Sequence, residues 1–210
     1  MQSSKQIAGG GKNGVFQTLR GFACVSVLML GGCALGQTHA LPPSAPVQMT
    51  MPPLSAASLG QSRSAQQIVR AAFGDQEATL QCVVDVTPQR LSVIAVNALG
   101  LRLFSVSVID GVMTVERAPG VPEQVQPEQI LRDIQLAYWP LAALQSAWAA
   151  DGWNVSAPFA GTRRLKRNGR LIAEVHYAQP AQDAWRGRLW LSNYALGYSL
   201  AVDSQPMDAD

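Results

Sequence analysis

The chain is short of the residues from which most catalytic and metal centres are built. Its 210 residues include three cysteines and two histidines. Cys24, Cys33 and Cys82 form no CxxC pair, and no Cys/His grouping has zinc-ligand spacing. That excludes a zinc module and a disulfide framework. If Cys24 leaves with a leader and Cys33 is modified, Cys82 stands alone in LQCVVDV as a small buried apolar residue. No HExxH or carboxylate pair is present. Charged residues are only 14% of the chain and the formal net charge is +2. Lys5, Lys12 and Arg20 precede Cys33 with no acid among them, so losing those three cations leaves −1. A near-neutral chain gives no electrostatic case for nucleic acid. The apolar run GFACVSVLML spans residues 21–30, well short of the roughly 20 residues that cross a bilayer as a helix.

What is present begins with an address. Residues 1–20 are basic and Gly-rich, residues 21–30 apolar, and small residues follow: the order of a secretory signal. A short buried helix is the alternative, against which Gly31, Gly32 and the prolines beyond argue. The Gly9–Gly14 stretch matches GxGxxG on paper, but no strand precedes it, so a dinucleotide site fails on context. Leu30-Gly31-Gly32-Cys33 resembles a bacterial lipobox. By that resemblance the signal peptide is 1–32, and Cys33 becomes the mature N-terminus, acylated on sulfur and nitrogen. Ala34 in the second mature position, where an aspartate would retain the protein in the inner membrane, implies the periplasmic face of the outer membrane. Pro42, Pro43, Pro46, Pro52 and Pro53 then mark residues 33–64 as a lipidated start and flexible tether.

From residue 65 the pattern is β-like. QIVRAAF and ATLQCVVDV flank Gly74-Asp75, RLSVIAVN and LRLFSVSVI follow, and Asp110-Gly111 turns into VMTVER. Pro127 opens a helix in which Ile130, Ile134 and Tyr138 recur every fourth residue, and a second helix is predicted from Pro140 to Ala150. GTRRLKR and RLIAEVHYA meet at Asn168-Gly169, and RGRLWLSN and GYSLAVD complete a meander. The predicted class is α+β: a curved antiparallel sheet, a partial barrel, with two or three helices covering one face. Its domain spans 65–204, and 205–210 is a disordered tail. Several strands are apolar on both faces, Leu91, Val93 and Ala95 opposing Ile94 and Val96, and Leu101 and Leu103 opposing Phe104, Val106 and Val108. Either the sheet is covered or curled, or an apolar cavity between sheet and helices holds an acyl chain.

Candidate chemistry is thin. His176 shares a strand face with Glu174, a pair that could orient an imidazole or simply face solvent. Gly197-Tyr-Ser199-Leu-Ala201 is one residue from a GxSxG elbow but has no helix after it. No catalytic residue, cofactor or metal is therefore expected, and the chain reads as no enzyme. Arg163, Arg164, Lys166 and Arg167 form the one conspicuous basic run, either a solvated hairpin or a contact for anionic headgroups or an acidic partner.

RLSVIAVNALGLRLFSVSVIDG, APGVPEQVQPEQILRDIQLAYWPLAALQ, GRLIAEVHYA and NYALGYSLAV together resemble a proteobacterial lipoprotein family. Its members are encoded beside aryl-polyene and xanthomonadin pigment genes and are similar to the LolA/LolB lipoprotein carriers. Leu136-Ala137-Tyr138-Trp139-Pro140 is the most specific part of the match. The resemblance implies a LolB-like sheet whose helices plug an apolar cavity, and no catalytic residues. The expectation is a lipid-anchored binding module for an acyl or polyenyl lipid, or a lipoprotein cargo, with an envelope exporter or biosynthesis protein as partner. Leu91, Val93, Leu103, Phe104, Ile130, Ile134, Tyr138 and Trp148 are the candidate lining. The alternative is a scaffold lipoprotein whose apolar residues are fully packed.

Overall fold

The structure is a computed structural model in which residues 51–207 are described, apart from 124, 181 and 182. All belong to one compact unit. The expected signal peptide, Cys33 and the first part of the expected tether lie outside the described residues, as do residues 208–210.

Ten strands arise where β-branched and apolar residues alternate with polar ones. They are β1 (Arg63–Phe73), β2 (Gln76–Val86), β3 (Arg90–Val96), β4 (Arg102–Ile109), β5 (Val112–Arg117), β6 (Trp153–Ser156), β7 (Thr162–Arg167), β8 (Arg170–Tyr177), β9 (Gly187–Asn193) and β10 (Tyr198–Pro206). Two helices, α1 (Pro127–Tyr138) and α2 (Leu141–Ala147), interrupt them between β5 and β6. Asp110-Gly111 and Asn168-Gly169 both have positive φ at each residue, the type I′ geometry that matches the twist of a two-residue hairpin.

All strands join one antiparallel sheet in the order β5-β4-β3-β2-β1-β10-β9-β8-β7-β6. The first and last strands in sequence thus pair at its middle, and β5 and β6 remain as open edges. The sheet is curved. Helix α1 touches β4, next to one edge, and β7, next to the other, so both ends of the sheet bend round the same helix. The inward phase of each strand forms the core: Ala65 and Val69, Cys82, Val84 and Val86, Leu91, Val93 and Ala95, Phe104, Val106 and Val108, then Leu165, Ala173, Val175, Leu189, Leu191 and Val202. Burial pushes the Cys82 thiol up to about 12, which leaves it unreactive.

The structure corrects two expectations and decides a third. Residues 51–59, assigned to the tether by their prolines, are part of the folded domain: Met51, Leu54, Ala56 and Leu59 are buried and a 3₁₀ turn forms at Ala56–Leu59. Residues 205 and 206, assigned to the tail, extend β10 and pair with β1. The doubly apolar strands are covered on one side only. Leu91, Val93 and Ala95 face inward, whereas Ile94 and its cross-strand neighbour Val83 are each 38% exposed on the outer face. A tenth strand, β6, was not anticipated.

Gly152 leads from α2 into β6 with φ +76, and a Cβ there would lie 1.9 Å from Asn168 Oδ1. Its carbonyl also accepts the Asn168 amide at 2.8 Å, tying the β6 entry to the β7–β8 turn. Gly152→Ala should cost about 2 kcal/mol or more through strain and displacement of Asn168. Urea unfolding of residues 43–210 measures it, and an unchanged midpoint refutes the close approach.

Candidate functional site

The concave side of the sheet is the candidate site, and α1 fills its middle. Over part of its length the helix meets the sheet through polar groups. Gln67 Nε2, on β1, donates to Tyr138 Oη at 2.9 Å and to Ser204 Oγ, on β10, at 3.0 Å. Tyr138 Oη and Ser204 Oγ close the triangle at 2.7 Å. Five residues earlier in the helix, Asp133 accepts the Gln129 amide at 2.9 Å and the Tyr198 hydroxyl. Asn193 Nδ2 donates to that same hydroxyl at 3.2 Å. Every one of these groups except Tyr198 is buried. Burial therefore pushes the Asp133 carboxyl up to about 7, against the pull of Tyr198, Gln129 and the nearby Arg132. Burial likewise raises Tyr138 and Tyr198.

The end of α1 is fixed from β7 and β8. Arg163 Nη1 donates to the carbonyls of Leu136 at 3.0 Å and Trp139 at 2.6 Å, and the Tyr177 hydroxyl donates to that of Ala137. A cation at these orphan carbonyls also suits the negative end of the helix dipole. Trp185 packs on the Tyr138 ring, centroid to centroid 4.4 Å.

On the other side of the helices runs the segment 51–59. Gln135, fully buried, gives its amide to the carbonyl of Leu54 at 2.9 Å and accepts the Leu54 N–H at 3.0 Å. Trp148 Nε1 reaches the Pro52 carbonyl at 3.1 Å, Trp139 Nε1 the Ser58 hydroxyl at 2.9 Å, and Arg132 Nε the Met51 carbonyl at 2.8 Å.

Of the sequence-predicted lining, Leu91, Val93, Phe104, Ile134, Tyr138 and Trp148 are buried together in one continuous cluster. Ile130 and Leu103 are half-buried at its margin. Leu103 precedes Phe104 on β4, and consecutive strand residues point to opposite faces. The polar partners were missed: Gln67, Gln129, Asp133, Gln135, Asn193, Tyr198 and Ser204. The signal was a polar residue in an apolar phase, as with Gln67 between Ala65 and Val69, since such residues are buried only with partners.

The basic run forms no single patch, because a strand alternates its faces. Arg163 is spent on α1, Arg167 lies over the Trp153 ring at 5.1 Å, and Arg164 turns outward to Glu174 at 2.5 Å. Lys166 is half-buried beside a register shift. On the outer face Glu174 also meets His176 Nε2 at 2.9 Å, and the Thr162 hydroxyl lies 3.3 Å from His176 Nδ1. Burial alone would raise Glu174, but hydrogen bonds and charge from Arg164 and His176 hold it below its ordinary value. Ser199 sits opposite Ser192, which sits opposite Glu174, whereas His176 is opposite Trp190. The register therefore keeps Ser199 two strands away from the imidazole. Among the described residues no helix is long and apolar enough to cross a membrane.

A family model described as a protein of unknown function (DUF3261) matches residues 64–206. The chain belongs to this family. No curated protein matches it. Among solved structures, the DUF3261 chain is similar to a LolA superfamily protein from Nitrosomonas europaea, at 10% identity and TM-score 0.41, over 74% of this chain and 91% of that one. It is also similar to a putative outer membrane lipoprotein-sorting protein domain from Vibrio parahaemolyticus, at 9% identity and TM-score 0.33, over 71% and 86%. A DUF1329 family protein from Desulfovibrio piger gives 7% identity and TM-score 0.32, over 71% and 87%. None reaches a TM-score of 0.5, too slight a likeness to carry function across.

Asp133 makes the stability of the DUF3261 domain pH-dependent. With a folded pKa of about 7 against the ordinary 3.8, the native state holds a proton that the unfolded chain releases between those values. Stability attributable to Asp133 is therefore present at low pH and falls as pH rises through the window, by up to ~4 kcal/mol. Wild-type residues 43–210 should unfold at lower urea at pH 8 than at pH 5. Asp133→Asn, which keeps an acceptor for Tyr198, should flatten that difference; an equal slope in both proteins rejects the assignment.

Proposed function

We propose that this DUF3261 protein is an outer-membrane, lipid-anchored lipoprotein of the periplasm whose domain binds and passes on a hydrophobic cargo. One observation carries the reading. The apolar concave face belongs to a sheet that does not close on itself, and what covers it is a helix held partly by hydrogen bonds and a segment outside the sheet. Each such bond contributes only about 0.5–1.5 kcal/mol net, because water replaces the partner when it opens. An apolar chain entering beneath α1 gains roughly 0.8 kcal/mol for each CH₂ removed from water. Loading and release then need no catalysis, only differential affinity between donor membrane, domain and acceptor.

The rim supports work beside a bilayer. The antiparallel order puts the β1–β2, β3–β4 and β9–β10 turns at one end of the sheet, and Phe73, Leu99, Leu101 and Tyr194 are exposed there, Leu99 at 83%. Such apolar tips can enter the headgroup boundary. The finer reading, an acyl or polyenyl lipid in envelope or pigment export, draws on the resemblance to lipoproteins encoded beside aryl-polyene genes. An anchor on Cys33 and an exporter or biosynthesis partner complete it. The protein is no enzyme on this reading, and a scaffold would need only a packed core.

Native mass spectrometry of residues 43–210, purified without detergent, should detect co-purified lipid, and a fluorescent fatty acid should bind with micromolar affinity. A domain that carries no lipid and leaves the fatty acid free refutes the proposal. Leu99→Glu should leave fatty-acid binding intact and slow transfer to vesicles severalfold; unchanged transfer removes the rim from the mechanism.

A further inference from the structure

We infer that the side of α1 and α2 that carries Arg132, Gln135, Trp139 and Trp148 is a binding site for an extended apolar peptide, that residues 51–59 occupy it in cis, and that their release opens the concave face to cargo. This rests on the cargo-binding reading and names the control of that site.

The site is built for a peptide backbone. The Gln135 side chain presents a donor and an acceptor to the same residue, Leu54, as a neighbouring strand would. Gln135 is fully buried and spends its whole amide on this one contact, so without the segment it would be left facing an empty groove. Trp148 and Arg132 take the carbonyls of Pro52 and Met51, and Trp139 takes the Ser58 hydroxyl. Most of these contacts read main chain rather than side-chain identity, the mode by which extended peptides are held generally. Specificity comes from the apolar side chains Met51, Leu54, Ala56 and Leu59, which enter the common core.

The segment is also separable. It pairs with no strand, and its main-chain hydrogen bonds to one another stay local, from Ser58 to Ser55 and from Gly60 to Ala57. Everything else that ties its backbone to the domain comes from side chains of α1, Trp139 and Trp148. Its 3₁₀ turn nevertheless touches β3, whose inward residues Leu91 and Val93 line the concave face. The turn therefore lies against apolar surface that a cargo would need, and the segment leads directly into the residues that connect to Cys33. Pulling the segment free and exposing the face are one movement. While the segment is seated, apparent cargo affinity is reduced by the small fraction of domains that are open.

The test uses residues 43–210 with the apolar dye 1-N-phenylnaphthylamine. Leu54→Asp removes the main anchor of the segment and alters no residue of the helices that hold it; Trp148→Phe removes the hydrogen bond to Pro52 together with part of the buried indole. Dye affinity should rise about tenfold for Leu54→Asp and less for Trp148→Phe, as the open fraction grows. A synthetic peptide of residues 49–60 added in trans should reverse the gain. Hydrogen exchange should show residues 51–59 deprotected while β1 and β10 stay protected. If wild type and both variants bind dye equally, the segment controls nothing and the cargo reading survives alone. A loss of protection across β1 and β10 in both variants makes the segment a structural piece and overturns the inference. Dye binding by none of the proteins removes the cargo reading, and this inference falls with it.

Discussion

An apolar sheet face that the sheet does not close must be covered by something else. That constraint organises the whole domain. Ten strands present one buried face, and their open edges at β5 and β6 leave the job to α1, α2 and the segment 51–59. Bending the sheet reduces the area to be covered, which is why a single twelve-residue helix reaches the neighbours of both edges. The covering pieces then divide the work. Apolar side chains supply most of the driving force, while Gln67, Asp133, Tyr138 and Ser204 fix where the helix sits.

The outer face follows the opposite logic. It needs no cover, so its charges pair with one another across strands. Asp203 is held below its ordinary value first by the hydrogen bond from Arg188, then against burial by Arg70, and Glu174 gathers Arg164 and His176. The Asp203 pairs are exposed or half-exposed and each adds little stability. They do tie neighbouring strands of the bare outer face to one another, with Val83 and Ile94 tolerated among them.

Most of the architecture was legible because short antiparallel hairpins are encoded locally. Asn168-Gly169 and Asp110-Gly111 name their turns outright, and the four-residue spacing of Ile130, Ile134 and Tyr138 locates α1. What stayed hidden depends on partners distant in the chain. Residues 51–59 are rich in proline and read as linker, and only Gln135, 81 residues away from Leu54, makes them part of the domain. Strand β6 is four residues long and exists because β7 is beside it. Arg163 and Arg164 look alike in sequence, yet strand alternation sends one to the helix end and the other to Glu174. Apolar residues on both faces of β3 left a covered sheet, a curled sheet and a cavity open; the sheet is curled, and β-branched residues also serve its exposed face through their backbone preference. The candidate site was legible as an apolar surface and illegible as a polar one.

The pairing of β1 with β10 carries a consequence for how the molecule comes into being. The sheet's central ladder joins the first strand to the last, with more than 130 residues between partners such as Gln67 and Ser204. A chain that emerges N-terminus first cannot complete its middle until its final strand arrives, whereas the β1–β5 meander and the β6–β10 meander can each form alone. Two half-sheets with raw edges must therefore wait for each other, and the ordering entropy of that long loop falls on one late step. Assembly is slow for its size, and the unjoined halves are the species most exposed to aggregation.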